Sequence, residues 1–259
     1  QACASRCDQG VEKNYLMKFS KRIQNVNPSM TLAIDAKAKE MKAQGEDVIG
    51  FGTGEPDFNT PERIKQAGIR AIENNETRYT PAGGSDLLKE AIISKLQRDN
   101  GLAYEKNQIL ASCGAKHSFY NLAQVLWQAG DEVIIPAPYW VSFPDMVTLS
   151  GAKTVIIYAG AEQDFKITAE QIDNAVTPNT RAIVINSPSN PTGSAYNKDE
   201  LEKLAECALR HNLLIISDEI YEQIVFDGFH HTSIASISKE GQKQCVVING
   251  VSNSYAMTG

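Results

Sequence analysis

Apolar residues gather in strand-length runs at 108–112, 132–136, 153–157, 181–186, 213–217 and 245–249. Between and before these runs lie segments in which apolar positions return every three or four residues, at 61–74, 85–99, 116–128, 168–175 and 198–211. Short apolar runs alternating with amphipathic segments predict an α/β fold: a mainly parallel, doubly wound sheet with helices on both faces. Ser85-Asp86 and Asp199-Glu200 lie at the starts of two of these helices. There a side-chain oxygen accepts from a free N–H and an acid meets the positive end of the helix. Another amphipathic segment, 29–44, precedes the array and stops at Gly45. It is expected to pack outside the main sheet, as an arm.

At 259 residues the chain has the length for one large domain or two small ones. It shows no internal repeat and no low-complexity linker. Lys and Arg number 25 against 31 Asp and Glu, a net charge of −6, and this balance argues against a nucleic-acid surface. No apolar run is long enough to span a membrane, so cytoplasm is the expected location. The five cysteines, Cys3, Cys7, Cys113, Cys207 and Cys245, form no CxxC pair and no Cys/His cluster with zinc spacing. They are expected to be reduced and mostly buried. His230-His231, in a loop bordered by Gly228 and Phe229 and without a carboxylate at metal spacing, reads as surface. No metal site is expected. Residues 1–16 read as an unstructured extension before a second, natural start at Met17, and the abrupt end at Met257-Thr258-Gly259 reads as truncation.

Ligands of open α/β sheets bind at the carboxyl ends of strands, so the loops there are where chemistry is sought. Cys113-Gly114-Ala115-Lys116-His117 leads from one predicted strand into a helix whose free N–H groups could hold a phosphate, though many strand-to-helix turns contain glycine. Ala137-Pro138-Tyr139-Trp140 puts two large aromatics at a sheet edge, either as core packing or as a stacking surface. The run from Asn186 through Ser187, Pro188, Ser189, Asn190, Pro191 and Thr192 to Gly193 has more turn-forming residues than a plain turn needs. Its two X-Pro bonds could be cis and hold the asparagine amide rigidly. Asp218 closes another strand, with Tyr221 three residues on, and could instead cap a helix. Gly50-Phe51-Gly52-Thr53-Gly54 is a poor dinucleotide fingerprint, because Glu55-Pro56 follows where a helix should open. There is no Walker lysine loop and no Gly-x-Ser-x-Gly elbow.

From about Met17 to Gly259 the sequence resembles the class I pyridoxal-phosphate aminotransferases, in their aspartate and aromatic amino acid branch. The resemblance rests on ordered blocks: Gly54-Glu55-Pro56-Asp57-Phe58, Arg78-Tyr79-Thr80-Pro81-Ala82-Gly83, Pro138-Tyr139-Trp140, Asn190-Pro191-Thr192-Gly193, Ser217-Asp218-Glu219-Ile220-Tyr221 and Ser254-Tyr255-Ala256-Met257-Thr258-Gly259. It implies an N-terminal arm or part of a small domain over 17–50. Residues 51–259 would then form a cofactor-binding large domain, incomplete at its C-terminal end.

Residue by residue, the resemblance assigns Gly114, Ala115 and Lys116 to the cofactor phosphate and Trp140 to the pyridine ring. Asp218 would meet the ring nitrogen, and Asn190 and Tyr221 the phenolic oxygen. Gly54, with Trp140 and Asn190, would contact substrate, and Tyr79 would reach the phosphate of a neighbouring subunit in a homodimer. The implied reaction moves an amino group between an L-amino acid and a 2-oxo acid.

At one position the sequence departs from the family pattern: Asn253 stands where the family has the lysine that attaches to the cofactor aldehyde and moves the proton. A carboxamide does neither, so pyridoxal 5′-phosphate is expected to be held without a covalent bond and turnover to be absent or severely impaired. The alternative is a non-catalytic cofactor- or amino-acid-binding or scaffold protein.

Overall fold

The structure is a computed structural model that describes residues 18–26, 30–50, 52 and 54–259. The expected extension at 1–16, with Cys3 and Cys7, lies outside the described residues. Five parallel strands form one sheet: β1 (Glu132–Ala137), β2 (Lys153–Tyr158), β3 (Thr180–Asn186), β4 (Leu214–Asp218) and β5 (Cys245–Ile248), in the order β2-β1-β3-β4-β5. The helices are α1 (Lys21–Gln24), α2 (Met30–Ala43), α3 (Glu62–Glu73), α4 (Asp86–Asn100), α5 (Ala115–Leu126), α6 (Ser142–Ser150), α7 (Ala169–Ala175), α8 (Lys198–Arg210) and α9 (Lys239–Lys243).

Strand alternation sorts the core into two layers. Val133, Ile135, Ala182, Val184 and Ile216 face α5 and α6, where Phe119, Ala123, Phe143 and Val147 are buried. Their chain neighbours Ile134, Ile183, Ile185 and Ile215 face α7 and α8, against Ile172, Leu201, Leu204 and Ala208. Because both faces are covered, the strands read as continuous apolar runs rather than as alternating patterns. This is the expected doubly wound arrangement.

The short helices α1 and α9 fall where no helix is expected, and two further elements also differ from expectation. Residues 108–112 form no strand: Lys106–Gln108 is a single 3₁₀ turn, and the N–H of Ala111 donates to Gly83 O at 3.0 Å, in a loop. An apolar run becomes a strand only beside a strand partner, and here its neighbour is a turn. Conversely, α6 was not expected. Phe143, Met146 and Val147 have helical spacing and are buried, while Pro144 stands in the first turn, where its missing N–H costs nothing.

Helix α2 covers most of the expected arm, and Ile34 lies against the backbone at Gly52. Arg22 of α1 donates to Leu149 O at 3.1 Å, tying that short helix to α6.

Helix α8 starts with a reciprocal cap. Asn197 Oδ1 accepts from the Glu200 N–H at 3.0 Å, and Glu200 Oε2 accepts from the Asn197 N–H at 2.8 Å. The Asn197→Ala variant should lose about 1 kcal/mol of stability. Urea denaturation would show this as a lower midpoint at unchanged slope; an unchanged midpoint would mean that the cap contributes nothing.

Candidate functional site

The sheet order makes β1 and β3 the place where successive connections leave in opposite directions, and there a crevice opens beyond the carboxyl ends of the strands. Tyr139 and Trp140 follow β1 at this edge, and the turn-rich run follows β3. A cavity there is lined by Tyr139, Phe143, Asn186, Ser189 and Tyr196. The Ser187-Pro188 and Asn190-Pro191 peptide bonds are both cis, as is Ala137-Pro138.

Asn186 organises the next part. Its Nδ2 donates to Asp218 O at 3.1 Å and its Oδ1 accepts from the Asn190 N–H at 2.7 Å. Asn190 Nδ2 in turn donates to the Tyr221 hydroxyl at 3.4 Å. Asn190, Asp218 and Tyr221 are therefore brought to one edge through a fourth residue, Asn186, for which the sequence gives a place in the turn-rich run but no such role.

Asp218 lies opposite Asn186 in the β3–β4 register and two residues beyond Ile216, so its side chain faces the α5 and α6 side of the sheet. It is 4% exposed, and the Ile220 N–H donates to its Oδ1 at 3.2 Å. Among the described residues no ion pair includes it. Burial pushes this carboxyl up to about 7, against the lowering effect of the Ile220 N–H and with a smaller raising effect of the Glu219 charge. Such a group favours a cation placed beside it. Asn249, at the carboxyl end of β5, has a buried Nδ2 without an acceptor.

The start of α5 lies on the same face. Gly114 caps it at φ +87°, a conformation that favours glycine, and supplies no side-chain cap. Among the described residues the N–H groups of Ala115, Lys116 and His117 find no acceptor, so they can receive an anion. Trp140 packs edge-on against Phe143, with ring centroids 5.2 Å apart. The Lys116 ammonium stands 5.0 Å from the Trp140 ring centroid, which joins the start of α5 to the stacking residue.

The two glycine- and serine-rich blocks at opposite ends of the sequence also meet. Thr60 Oγ1 donates to Ala256 O at 2.5 Å, and Thr258 Oγ1 to Glu55 Oε2 at 3.0 Å. Gly54 and Asn253 thus stand on loops that are tied together. Asn253 Oδ1 accepts from Ser252 Oγ at 2.8 Å. Tyr79 stands apart and is fully exposed.

Two expectations need correction, those for His231 and for a Cys/His cluster at Cys207. His231 is not a surface residue: its side chain is 9% exposed and Nε2 lies 3.2 Å from Glu219 Oε2, a partner twelve residues away that local spacing did not reveal. Cys113 is exposed, whereas Cys207 and Cys245 are buried as expected. Cys207 also has the His neighbour denied to it: Asp173 Oδ1 lies 3.3 Å from Cys207 Sγ and 2.6 Å from His211 Nε2. Both histidine clusters already hold a cationic side chain, Arg210 on Asp173 and Lys95 on Glu222, which occupies the charge a metal would need.

The fold and this edge define a doubly wound α/β protein with an anion-receptive helix start and a buried carboxyl suited to a cationic ring. Comparison with known proteins makes this particular. The model of the "Aminotransferase class I and II" family matches residues 46–259, and the chain belongs to that family. An "Aspartate aminotransferase" of Bacillus sp. (strain YM-2) is 57% identical over 241 residues, 93% of this chain and 62% of the relative. An "Aspartate/prephenate aminotransferase" of Nitrosomonas europaea is 49% identical over 244 residues, 94% of this chain and 62% of the relative. The aspartate aminotransferase structure from Rhizobium meliloti superposes with a TM-score of 0.90 at 44% identity, covering 93% of this chain and 61% of that one. The chain thus spans about 62% of the length of the curated relatives it matches.

Proposed function

We propose that this chain is the cofactor-binding part of a pyridoxal-phosphate aminotransferase that moves an amino group between an aspartate-like or aromatic L-amino acid and a 2-oxo acid. The observation that carries the reading is the buried Asp218 carboxyl, without an ion-pair partner among the described residues, beside the linked Asn190 and Tyr221 side chains. A protonated pyridine nitrogen fits that carboxyl, a phenolic oxygen fits the amide and hydroxyl donors, and a phosphate fits the open start of α5. When bound, the cofactor supplies an electron-withdrawing ring that stabilises charge at the amino acid's α-carbon. Asp218 would hold the proton on the ring nitrogen, and Asn190 and Tyr221 would orient the ring. Gly114, Ala115 and Lys116 would hold the phosphate, Trp140 would cover the ring, and Gly54 would border the substrate.

Asn253 supports a second reading, a protein that binds the cofactor without turning over. Its carboxamide neither attaches to an aldehyde nor takes a proton near neutral pH. Under both readings residues 17–50 form the arm or part of a small domain and 51–259 the large domain. The exposure of Tyr79 agrees with a contact across a homodimer, and a cytoplasmic location with the absence, among the described residues, of a helix long and apolar enough to cross a membrane.

Titration with pyridoxal phosphate, followed by tryptophan fluorescence, should show saturable and dialysable binding. An assay with aspartate and 2-oxoglutarate should show little or no turnover. Absence of binding by a folded chain would sink the cofactor reading, and turnover at ordinary aminotransferase rates would sink the inactivity of Asn253.

A further inference from the structure

Behind Asp218, on the opposite face of the sheet, lies a second buried carboxylate. Glu219 is 1% exposed. Ser217 Oγ and Ser233 Oγ donate to its Oε1 at 2.8 and 2.7 Å, and His231 Nε2 lies 3.2 Å from its Oε2. The backbone is held as firmly: the Glu219 N–H donates to Ile248 O at 2.8 Å, and the Ser187 N–H donates to Asp218 O at 3.1 Å. The end of β4 is thereby tied to β3 on one side and to β5 on the other. None of these bonds takes a side-chain oxygen of Asp218, which is left facing the crevice.

The groups around Glu219 determine what its charge can do. Lys95 of α4 pairs with Glu222 rather than with Glu219. Burial pushes the Tyr104 phenol up to about 12 and pushes the Cys245 thiol up as well, with Glu219's charge adding to both, so each is neutral. Among the described residues two titratable groups therefore stand at the Glu219 carboxylate: His231, 3.2 Å from its Oε2, and Glu222, whose carboxylate lies within 4.8 Å and carries the Lys95 ammonium.

We propose, on the cofactor reading above, that Glu219 is a positioning residue for Asp218. Anchored by Ser217, Ser233 and His231, it fixes the aim of the Asp218 carboxylate, and its own negative charge favours a protonated ring nitrogen in front of that carboxylate. Two adjacent carboxylates favour a proton at the site more than one does. Asp218 itself registers this charge as part of its raised proton affinity, after the larger effect of burial.

A purely structural Glu219 would affect every ligand of the crevice alike, and this sets the test. The full chain and its Glu219→Gln variant are titrated with pyridoxal phosphate and with the 1-deaza analogue, which has carbon in place of the ring nitrogen. Glutamine keeps an oxygen for the two serine donors but removes the charge. The expected result is roughly tenfold weaker binding of pyridoxal phosphate, the factor that one pKa unit represents. The analogue should change by less than about twofold, since it has no ring nitrogen to pair.

In an Asp218→Asn background, Glu219→Gln should cost nothing further. Equal losses for both ligands, or an undiminished loss in that background, would overturn the proposal while leaving the cofactor reading intact. If the unaltered chain binds no pyridoxal phosphate, both fail together. Should Glu219→Gln not fold, Ser233→Ala loosens the same carboxylate and should give a smaller loss, again confined to the ligand with the ring nitrogen. An equal loss for both ligands in that variant would likewise overturn it.

Discussion

Replacing Asn253 by lysine is expected to turn dialysable cofactor binding into a covalent adduct that borohydride makes permanent. The reason is chemical: an uncharged amine adds to an aldehyde and a carboxamide does not. Position 253 stands on the loop that leaves β5, tied to the 55–60 segment through Thr60 and Glu55. The existing partner of Asn253, Ser252 Oγ, is exchangeable with water. Mass spectrometry of the reduced protein should find near-stoichiometric labelling at residue 253 in the lysine variant and none at 253 in the parent. Asn253→Met, which adds length without an amine, controls for bulk. Labelling of the lysine variant only at scattered surface lysines would show that position 253 does not face the cofactor.

The second large effect concerns Asp218, where binding and stability are expected to move in opposite directions. Asp218→Asn removes the charge that would meet a protonated ring nitrogen. Breaking a buried charge pair costs about 3 kcal/mol, so pyridoxal phosphate should bind on the order of a hundredfold more weakly. The cofactor-free protein should become more stable. The folded-state carboxyl is raised to about 7 from an ordinary 3.8, so between these values the folded chain holds a proton that the unfolded chain has released. Stability contributed by this group is therefore full below about pH 4 and is lost as the pH rises towards 7. Asparagine does not titrate, so the variant should gain on the order of a few kcal/mol at pH 8 and much less at pH 4. Urea denaturation at the two pH values measures the difference. A variant less stable than the parent at pH 8 would mean that Asp218 is already paired in the free protein.

If both results are obtained, Asp218 destabilises the empty fold and serves a ligand, which fits a binding site better than a structural role. The contrast with Glu132 makes the point. That carboxyl, at the amino end of β1, is held below the usual range by hydrogen bonds from Lys153 and Thr177. There the acid is satisfied within the fold, whereas among the described residues the Asp218 carboxyl accepts only from the Ile220 N–H. The two carboxyls differ accordingly: Glu132 at the amino end is paired with Lys153, whereas Asp218 at the carboxyl end has no ion-pair partner among the described residues.

Much of the candidate site was legible because Trp140, Asn190, Asp218 and Tyr221 stand at or shortly after the carboxyl ends of strands, although the run before Gly114 is not a strand. Asn190, Asp218 and Tyr221 could be placed on one edge by counting strands, and the free helix start after Gly114 follows from the absence of a capping side chain. Asn186 was harder, since nothing in the order of residues says that its amide bridges Asp218 and Asn190. His231 was misjudged for a related reason: a contact with Glu219 twelve residues away depends on how the loop after β4 folds back beneath the sheet. Helix α6 carried a readable signal in Phe143, Met146 and Val147, hidden by Pro144, which terminates helices everywhere except in their first turn.

What the sequence determined by itself is the layered α/β architecture and which residue types stand at the carboxyl ends of its strands. Runs of apolar residues of strand length must be covered on both faces, and an asparagine at position 253 has no amine wherever it is placed. Tertiary structure decided which of the apolar runs are strands and which polar groups meet. Residues 108–112 found a turn instead of a strand partner, and His231 found a buried carboxylate instead of water. Pairing of both kinds is a property of neighbours in space, and the linear order of residues specifies those neighbours only after the chain has closed on itself.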